Sequence, residues 1–253
     1  MKNSAEDFFI EHLKIIDSTN SYARSNAAEL WARAGGAPVV VVYADEQTSG
    51  RGQRGNVWHS RAGENLLASI IVRPQVLPVV SQFALSQVIA LAVRRAMACF
   101  GVSTMLKWPN DIYVEGRKLA GILVELDCCG AVVEQAVIGV GLNINQDSFA
   151  VMDKVPVSMK MLRGATFDVD EVLAALLDAF SHYYALLQSG GREILAAEYK
   201  SCLLGYKKIM RYRDASSLFD AEIVDVASDG YLVLKRADGS LSTYAFKEVE
   251  VVL

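Results

Sequence analysis

The segment Gly50-Arg51-Gly52-Gln53-Arg54-Gly55-Asn56-Val57-Trp58, preceded by the apolar run Val39-Val40-Val41-Val42-Tyr43-Ala44, decides how the chain is read. Its glycines satisfy G-x-G-x-x-G, the spacing of a dinucleotide-binding turn. Such a turn requires a helix to open at the third glycine, so that free N–H groups meet a pyrophosphate. Here Gly55 is followed by Asn-Val-Trp-His-Ser-Arg-Ala-Gly-Glu-Asn and then by the strand-like Leu66-Leu67-Ala68-Ser69-Ile70-Ile71-Val72. That context excludes the dinucleotide turn. No Gly-Lys-Ser/Thr closes the loop, so it is not the phosphate loop of nucleoside triphosphatases. What remains is a flexible cationic loop between two strands, able to wrap an anion.

Before the loop, Asp17-Ser18-Thr19-Asn20 offers helix caps ahead of Ala23, Ala27, Leu30, Trp31 and Ala34. Their spacing predicts one helix, ended by Gly35-Gly36. After it, the pattern predicts the strand 66–72, a helix over 79–99, short strands at 105–107 and 112–114, and a hairpin of 119–127 with 132–140 turning at Cys129-Gly130. The uncharged stretch Gln75 to Val93 contains Ser81, Gln82, Ser86 and Gln87, while Phe83, Ala84, Val88, Ala92 and Ala96 keep helical spacing. It reads as a buried helix and not as a membrane span. Helices over 169–188 and 192–202 follow. Beyond Gly205 come five short strands separated by turns such as Ser228-Asp229-Gly230 and Ala237-Asp238-Gly239. The expectation is an α/β (α+β) domain over 1–204, with a mixed sheet flanked by helices, and a small β-barrel over 205–253.

At 253 residues the chain buries a substantial core, and a net charge of −4 argues against a surface that binds nucleic acid without selectivity. The N-terminus lacks a signal-peptide pattern. Cys99, Cys128, Cys129 and Cys202 show no paired metal spacing, and neither do His12, His59 and His182. Reduced thiols, a cytoplasmic location and no protein-only metal site are expected.

Three further segments carry chemistry. Lys107-Trp108-Pro109-Asn110-Asp111 presents a lysine and a carboxylate at the end of a short strand. Lys118 opens the strand Leu119-Ala120-Gly121-Ile122-Leu123-Val124-Glu125, in which Gly121 permits close approach. Gly139-Val140-Gly141-Leu142-Asn143 is a strand against whose backbone a flat ligand can lie. With Asp17-Ser18-Thr19-Asn20 and Glu46-Gln47-Thr48-Ser49-Gly50-Arg51-Gly52, and in this order, these motifs resemble the biotin protein ligase family.

The resemblance implies a catalytic fold like that of class II aminoacyl-tRNA synthetases, with an SH3-like C-terminal barrel. It also implies a two-step reaction in which biotin and Mg-ATP give biotinyl-5′-adenylate, and a lysine of a biotin carboxyl carrier protein or domain then takes the biotinyl group. Joining a carboxylate to a phosphoryl group brings two anions together, so fixed cations have to offset their repulsion. Arg51 and Lys118 match the family's residues for this task, with Lys107 a further candidate and Asp111 a group to orient a lysine or help deprotonate the acceptor amine. Ser18, Thr19, Asn20 and Gln47 match biotin-contacting positions, joined by Gly50, Arg51, Gly52, Gln53, Lys118 and Gly121. Arg51, Arg54, Trp58, Lys107, Asn110, Lys118 and Asn143 form the implied ATP and adenylate set.

Two departures stand out. Many family members carry arginine at Gln53, so either Arg54 compensates or this loop holds adenylate less strongly. Some relatives carry an N-terminal winged helix-turn-helix, whereas sixteen residues precede Asp17 here, and a ligase without DNA binding is expected. No membrane partner is expected, and the resemblance admits a homodimer. The nearest rivals are a lipoate or octanoate ligase and a noncatalytic biotin sensor.

Overall fold

The computed structural model describes residues 7–149 and 155–252, with Arg54 described in its backbone alone. Val39-Val40-Val41-Val42 has no polar alternation because its strand, β2 (Val39–Gln47), lies between other strands and is covered on both faces. Val39 and Val41 enter the larger apolar cluster, and Val40 and Val42 a smaller one on the opposite face. β2 belongs to a seven-stranded sheet that also contains β1 (Phe8–Ile16), β3 (Asn65–Val72), β4 (Met105–Lys107), β5 (Asp111–Val114), β6 (Arg117–Cys129) and β7 (Val132–Asn143). The order is β1-β2-β3-β7-β6-β5-β4, with β1 and β2 parallel and every other pairing antiparallel. The expected mixed sheet is present.

The helices divide between the two faces. α3 (Phe83–Cys99) and α5 (Val169–Gln188) pack along each other and against α6 (Arg192–Ser201), covering the large cluster. α1 (Thr19–Ser25) lies over β2, β3 and β7 on the other face, and α2 (Ala27–Arg33) continues beside it. The single helix expected here is two. The break falls at Asn26, whose φ of −108° and ψ of 13° leave the helical region, while its backbone N–H and its side-chain Nδ2 both donate to the Tyr22 carbonyl at 2.9 Å. A short helix, α4 (Met159–Arg163), precedes α5. No helix among the described residues is long and apolar enough to cross a membrane.

A second, antiparallel sheet has the order β11-β10-β9-β8-β12, built from β8 (Ile209–Asp214), β9 (Leu218–Val226), β10 (Leu232–Arg236), β11 (Leu241–Tyr244) and β12 (Val249–Val251). It packs against the first unit through aromatic rings. Trp108 donates Nε1–H to the Gly230 carbonyl at 2.9 Å, and Phe246 meets Trp108 and Phe83 edge-on. One apolar cluster runs through both units.

α5 is capped by Asp168, whose Oδ1 accepts from the N–H groups of Asp170 at 2.8 Å and Glu171 at 3.3 Å. Losing an N-cap oxygen costs about 1 kcal/mol. Asp168→Ala is therefore expected to lower the free energy of unfolding by that amount, seen as a lower urea midpoint with an unchanged slope.

Candidate active site

The strand register lines up a row of residues across the sheet: Lys107 opposite Asp111, Asp111 opposite Gly121, Gly121 opposite Gly141, and Gly141 opposite Leu67. Directly opposed residues share a face. The flanking positions Leu106, Ile112, Ala120, Leu142 and Leu66 all enter the helix-covered cluster, so this row lies on the other side. The next row on that side holds Leu123, Gly139 and Ser69. With three glycines in two rows, the sheet surface is locally bare.

The cationic loop folds back over this bare patch. A Cβ on Gly141 would sit 2.4 Å from Trp58 Cε2, one on Gly121 would sit 3.0 Å from Trp58 Cζ3, and one on Gly139 would sit 2.3 Å from Asn20 Oδ1. The indole thus rests on backbone that side chains would block. Its Nε1 is buried with no hydrogen-bond partner among the described residues, a cost of about 1–3 kcal/mol. Between the loop, the sheet and the C-terminal sheet lies a cavity of about 1080 Å³.

One end of the cavity is a chain of oxygens and amides. Ser18 caps α1 by accepting from Ser21 N–H, so the next two residues, Thr19 and Asn20, enter the first turn buried. Gln47 Oε1 accepts from the Thr19 N–H at 2.8 Å and from its hydroxyl at 3.0 Å. Thr19 Oγ1 lies 2.8 Å from Ser69 Oγ, which lies 2.5 Å from Asn20 Oδ1. Asn20 Nδ2 donates to Glu125 Oε2 at 3.0 Å. Both amides are oriented by these partners, Gln47 by a backbone donor and Asn20 by a carboxylate. Two hydroxyl hydrogens then serve three oxygen–oxygen contacts. However the hydroxyls turn, this rim is rich in acceptors and one hydrogen short.

The other end is cationic. Between Ile112 and Tyr113 the pairing of β5 with β6 shifts, so that Tyr113 faces Lys118 in place of Leu119. Such an irregularity re-aims a side chain. It brings Lys118 onto the cavity face, with Nζ 2.6 Å from Asp111 Oδ1 and 5.4 Å from the Trp58 ring centroid. The Asp111 carboxylate is only 5% exposed. Lys107 Nζ lies 4.9 Å from the Tyr113 ring centroid and 3.5 Å from its hydroxyl. Burial, helped by the Asp111 charge, pushes the Tyr113 phenol well above its ordinary pKa, so it is neutral at physiological pH and no base. Arg51 forms a two-point pair with Glu125, Nη2 to Oε1 at 2.9 Å and Nη1 to Oε2 at 3.1 Å.

Most of the residues expected from sequence meet at this cavity. Gly50 and Asn143 do not line it. Gly50 is buried where a Cβ would strike the Trp58 carbonyl oxygen at 2.4 Å, so it shapes the loop. Asn143 is buried and donates Nδ2 to the Val157 carbonyl at 3.1 Å, tying β7 to the segment before α4. The Arg54 side chain lies outside the described residues. Asn110 lines the cavity and also clamps its own turn, donating Nδ2 to the Ile122 carbonyl at 2.8 Å. The sequence reading missed Ser69 and gave Glu125 no role. The available signals were a lone hydroxyl in an apolar strand and a carboxylate closing the Lys118 motif. Among the described residues no cluster of three His, Cys, Asp or Glu is arranged to hold a metal.

The biotin/lipoate A/B protein ligase family model matches residues 13–143. The bifunctional ligase/repressor BirA of Bacillus subtilis is 31% identical over 210 residues, which cover 81% of this chain and 64% of that protein. This chain thus spans less than two thirds of that relative's length. The biotin–[acetyl-CoA-carboxylase] ligase of Paracoccus denitrificans is 37% identical over 182 residues, covering 69% of this chain and 72% of that one. The biotin protein ligase of Aquifex aeolicus, solved in complex with biotin and ATP, superposes with a TM-score of 0.76 at 22% identity, covering 96% of this chain and 98% of that one. The matched residues include the glycine loop, both lysine motifs and the bare strands, and the chain belongs to the biotin/lipoate A/B protein ligase family.

Proposed function

We propose that this chain activates biotin with ATP and transfers it to a lysine of a carrier domain. The observation that carries the proposal is the pairing, on one sheet face, of a hydrogen-poor polar rim with a cationic end. A ureido group brings two N–H donors to such a rim and a carbonyl to its neighbours, whereas a dithiolane ring brings none. This favours biotin over lipoate. The names of the relatives, including that of the Paracoccus ligase, support the same substrate and a carboxylase carrier as acceptor.

In the first step a carboxylate oxygen of biotin attacks the α-phosphorus of ATP, the bond to the β-phosphate oxygen breaks, and pyrophosphate leaves. Arg51 and Lys118 offset the repulsion of the two anions, Arg51 through its planar fork and Lys118 as a point charge. In the second step the acceptor's ε-amine attacks the acyl carbon, AMP departs, and the amine loses a proton. Asp111, paired with Lys118 at 2.6 Å, orients that lysine or helps take the proton from the amine. Trp58, seated on the bare strands, packs over the adenylate, and Lys107 serves the phosphates. Asp111 is engaged by Lys118 and Glu125 by Arg51, and among the described residues no group of three His, Cys, Asp or Glu is arranged to hold a metal. Magnesium, which neutralises phosphate charge, fits as a companion of ATP. We assign these functions to a catalytic unit over 1–204, and the 205–253 unit closes one cavity wall through its 213–216 turn and the residues around Tyr244 to Val251.

Purified protein is expected to support biotin-dependent exchange between ATP and labelled pyrophosphate. Exchange with lipoate and not with biotin would overturn the assignment. Lys118→Ala should cut that exchange by about two to three orders of magnitude, with circular dichroism checking the fold because the change removes a charge 2.6 Å from the buried Asp111. A rate equal to wild type would also remove Lys118 from the reaction. Holding the loop costs roughly 1 kcal/mol or more per residue in backbone entropy, and ligand contacts add to what offsets that cost. Tryptic cleavage after Arg51 and Arg54 should therefore slow when biotin and Mg-ATP are added together.

A further inference from the structure

The geometry points to Glu125 as a positioning residue that couples the two ends of the cavity, a role that rests on the ligase reading above. Its side chain is 14% exposed, and its two oxygens gather partners from both ends. Arg51 Nη2 donates to Oε1 at 2.9 Å and Nη1 to Oε2 at 3.1 Å, while Asn20 Nδ2 donates to the same Oε2 at 3.0 Å. Arg24 Nη1 adds a looser contact to Oε1 at 3.7 Å.

At the cationic end, Glu125 occupies the guanidinium fork that a ligand carboxylate or phosphoryl group would use. The ligand's anion therefore competes with an internal one. The exchange is feasible because Arg51 is 45% exposed and an ion pair so near solvent is weak. At the polar end, the same carboxylate dictates which way Asn20 faces. A flipped amide would set Asn20 Oδ1 against Glu125 Oε2, oxygen against oxygen, and would turn Nδ2 toward Ser69. Glu125 thus keeps the rim acceptor-rich while it holds Arg51 for exchange. An anion that draws Arg51 away leaves the carboxylate to Asn20 and Arg24.

The test compares biotin with biotinol, its uncharged alcohol, by calorimetry on wild type and on Glu125→Gln. Without the internal anion, Arg51 answers to the ligand's carboxylate alone. The ratio of biotin to biotinol affinity is expected to rise about three- to fivefold, the equivalent of one exposed ion pair. A side chain that merely supports the fold would change both affinities by one factor. Glu125→Asp, one methylene short of the fork, is the second variant if Glu125→Gln does not fold, and the same rise is expected. A ratio that stays level or falls in a folded variant overturns the coupling role and leaves the ligase reading intact. Wild-type protein that binds neither compound overturns both.

Discussion

A sheet that buries one face under helices and keeps a ligand-sized space on the other has to be bare on that second face. Gly121, Gly139 and Gly141 supply the bareness in three adjoining positions of the central hairpin. Glycine within a strand is costly, because it loses more conformational freedom than other residues and packs nothing. The cost is offset on the reverse of the same strands, where Ala120, Ile122, Ile138, Val140 and Leu142 are buried under α3 and α5. The position of Trp58, the depth of Asn20 and the closure of the cationic loop all follow from those three missing side chains.

The charges of the cavity come as two unlike pairs. Lys118 and Asp111 are 20% and 5% exposed in their side chains and 2.6 Å apart, so breaking the pair would take a close counter-charge from a buried carboxylate. Arg51 and Glu125 meet at comparable distances, yet the guanidinium is nearly half in solvent. One cation is held firmly on the floor, and the other is loosely held above it. A site that has to position one phosphate contact and rearrange another is well served by that difference in depth.

The motif residues were legible because their chemistry is local: caps, turn residues, glycine spacing and charges at strand ends all leave their marks within a few positions. Elements whose form depends on distant partners were not. β1 was missed because it is an edge strand with Ile10 and Ile15 exposed, so its apolar residues follow no clean alternation. The break at Asn26 is a change of backbone angle at one residue inside an otherwise helical apolar pattern, which the spacing of that pattern does not register. Ser69 gains meaning only when β3 lies beside Gly139 and under α1. Asn143 shows the reverse case, since an amide in a glycine-rich motif suggests a ligand contact, and in the folded chain it ties two backbone segments together.

The irregular pairing between β5 and β6 makes the spacing of the lysine motifs a matter of parity. Side chains alternate with a period of two, so in regular pairing Lys118, three places from Gly121, would face the helix-covered core, and the extra residue Leu119 is what turns it to the cavity. The turn between the two strands, Glu115-Gly116, is exposed, and both of its residues have positive φ, 50° and 75°, a conformation that restricts composition to glycine, asparagine and the few residues that tolerate it. The side of the sheet on which Lys118 stands is thus set by the irregularity inside β6, and the turn before it sets only which residues can join the two strands.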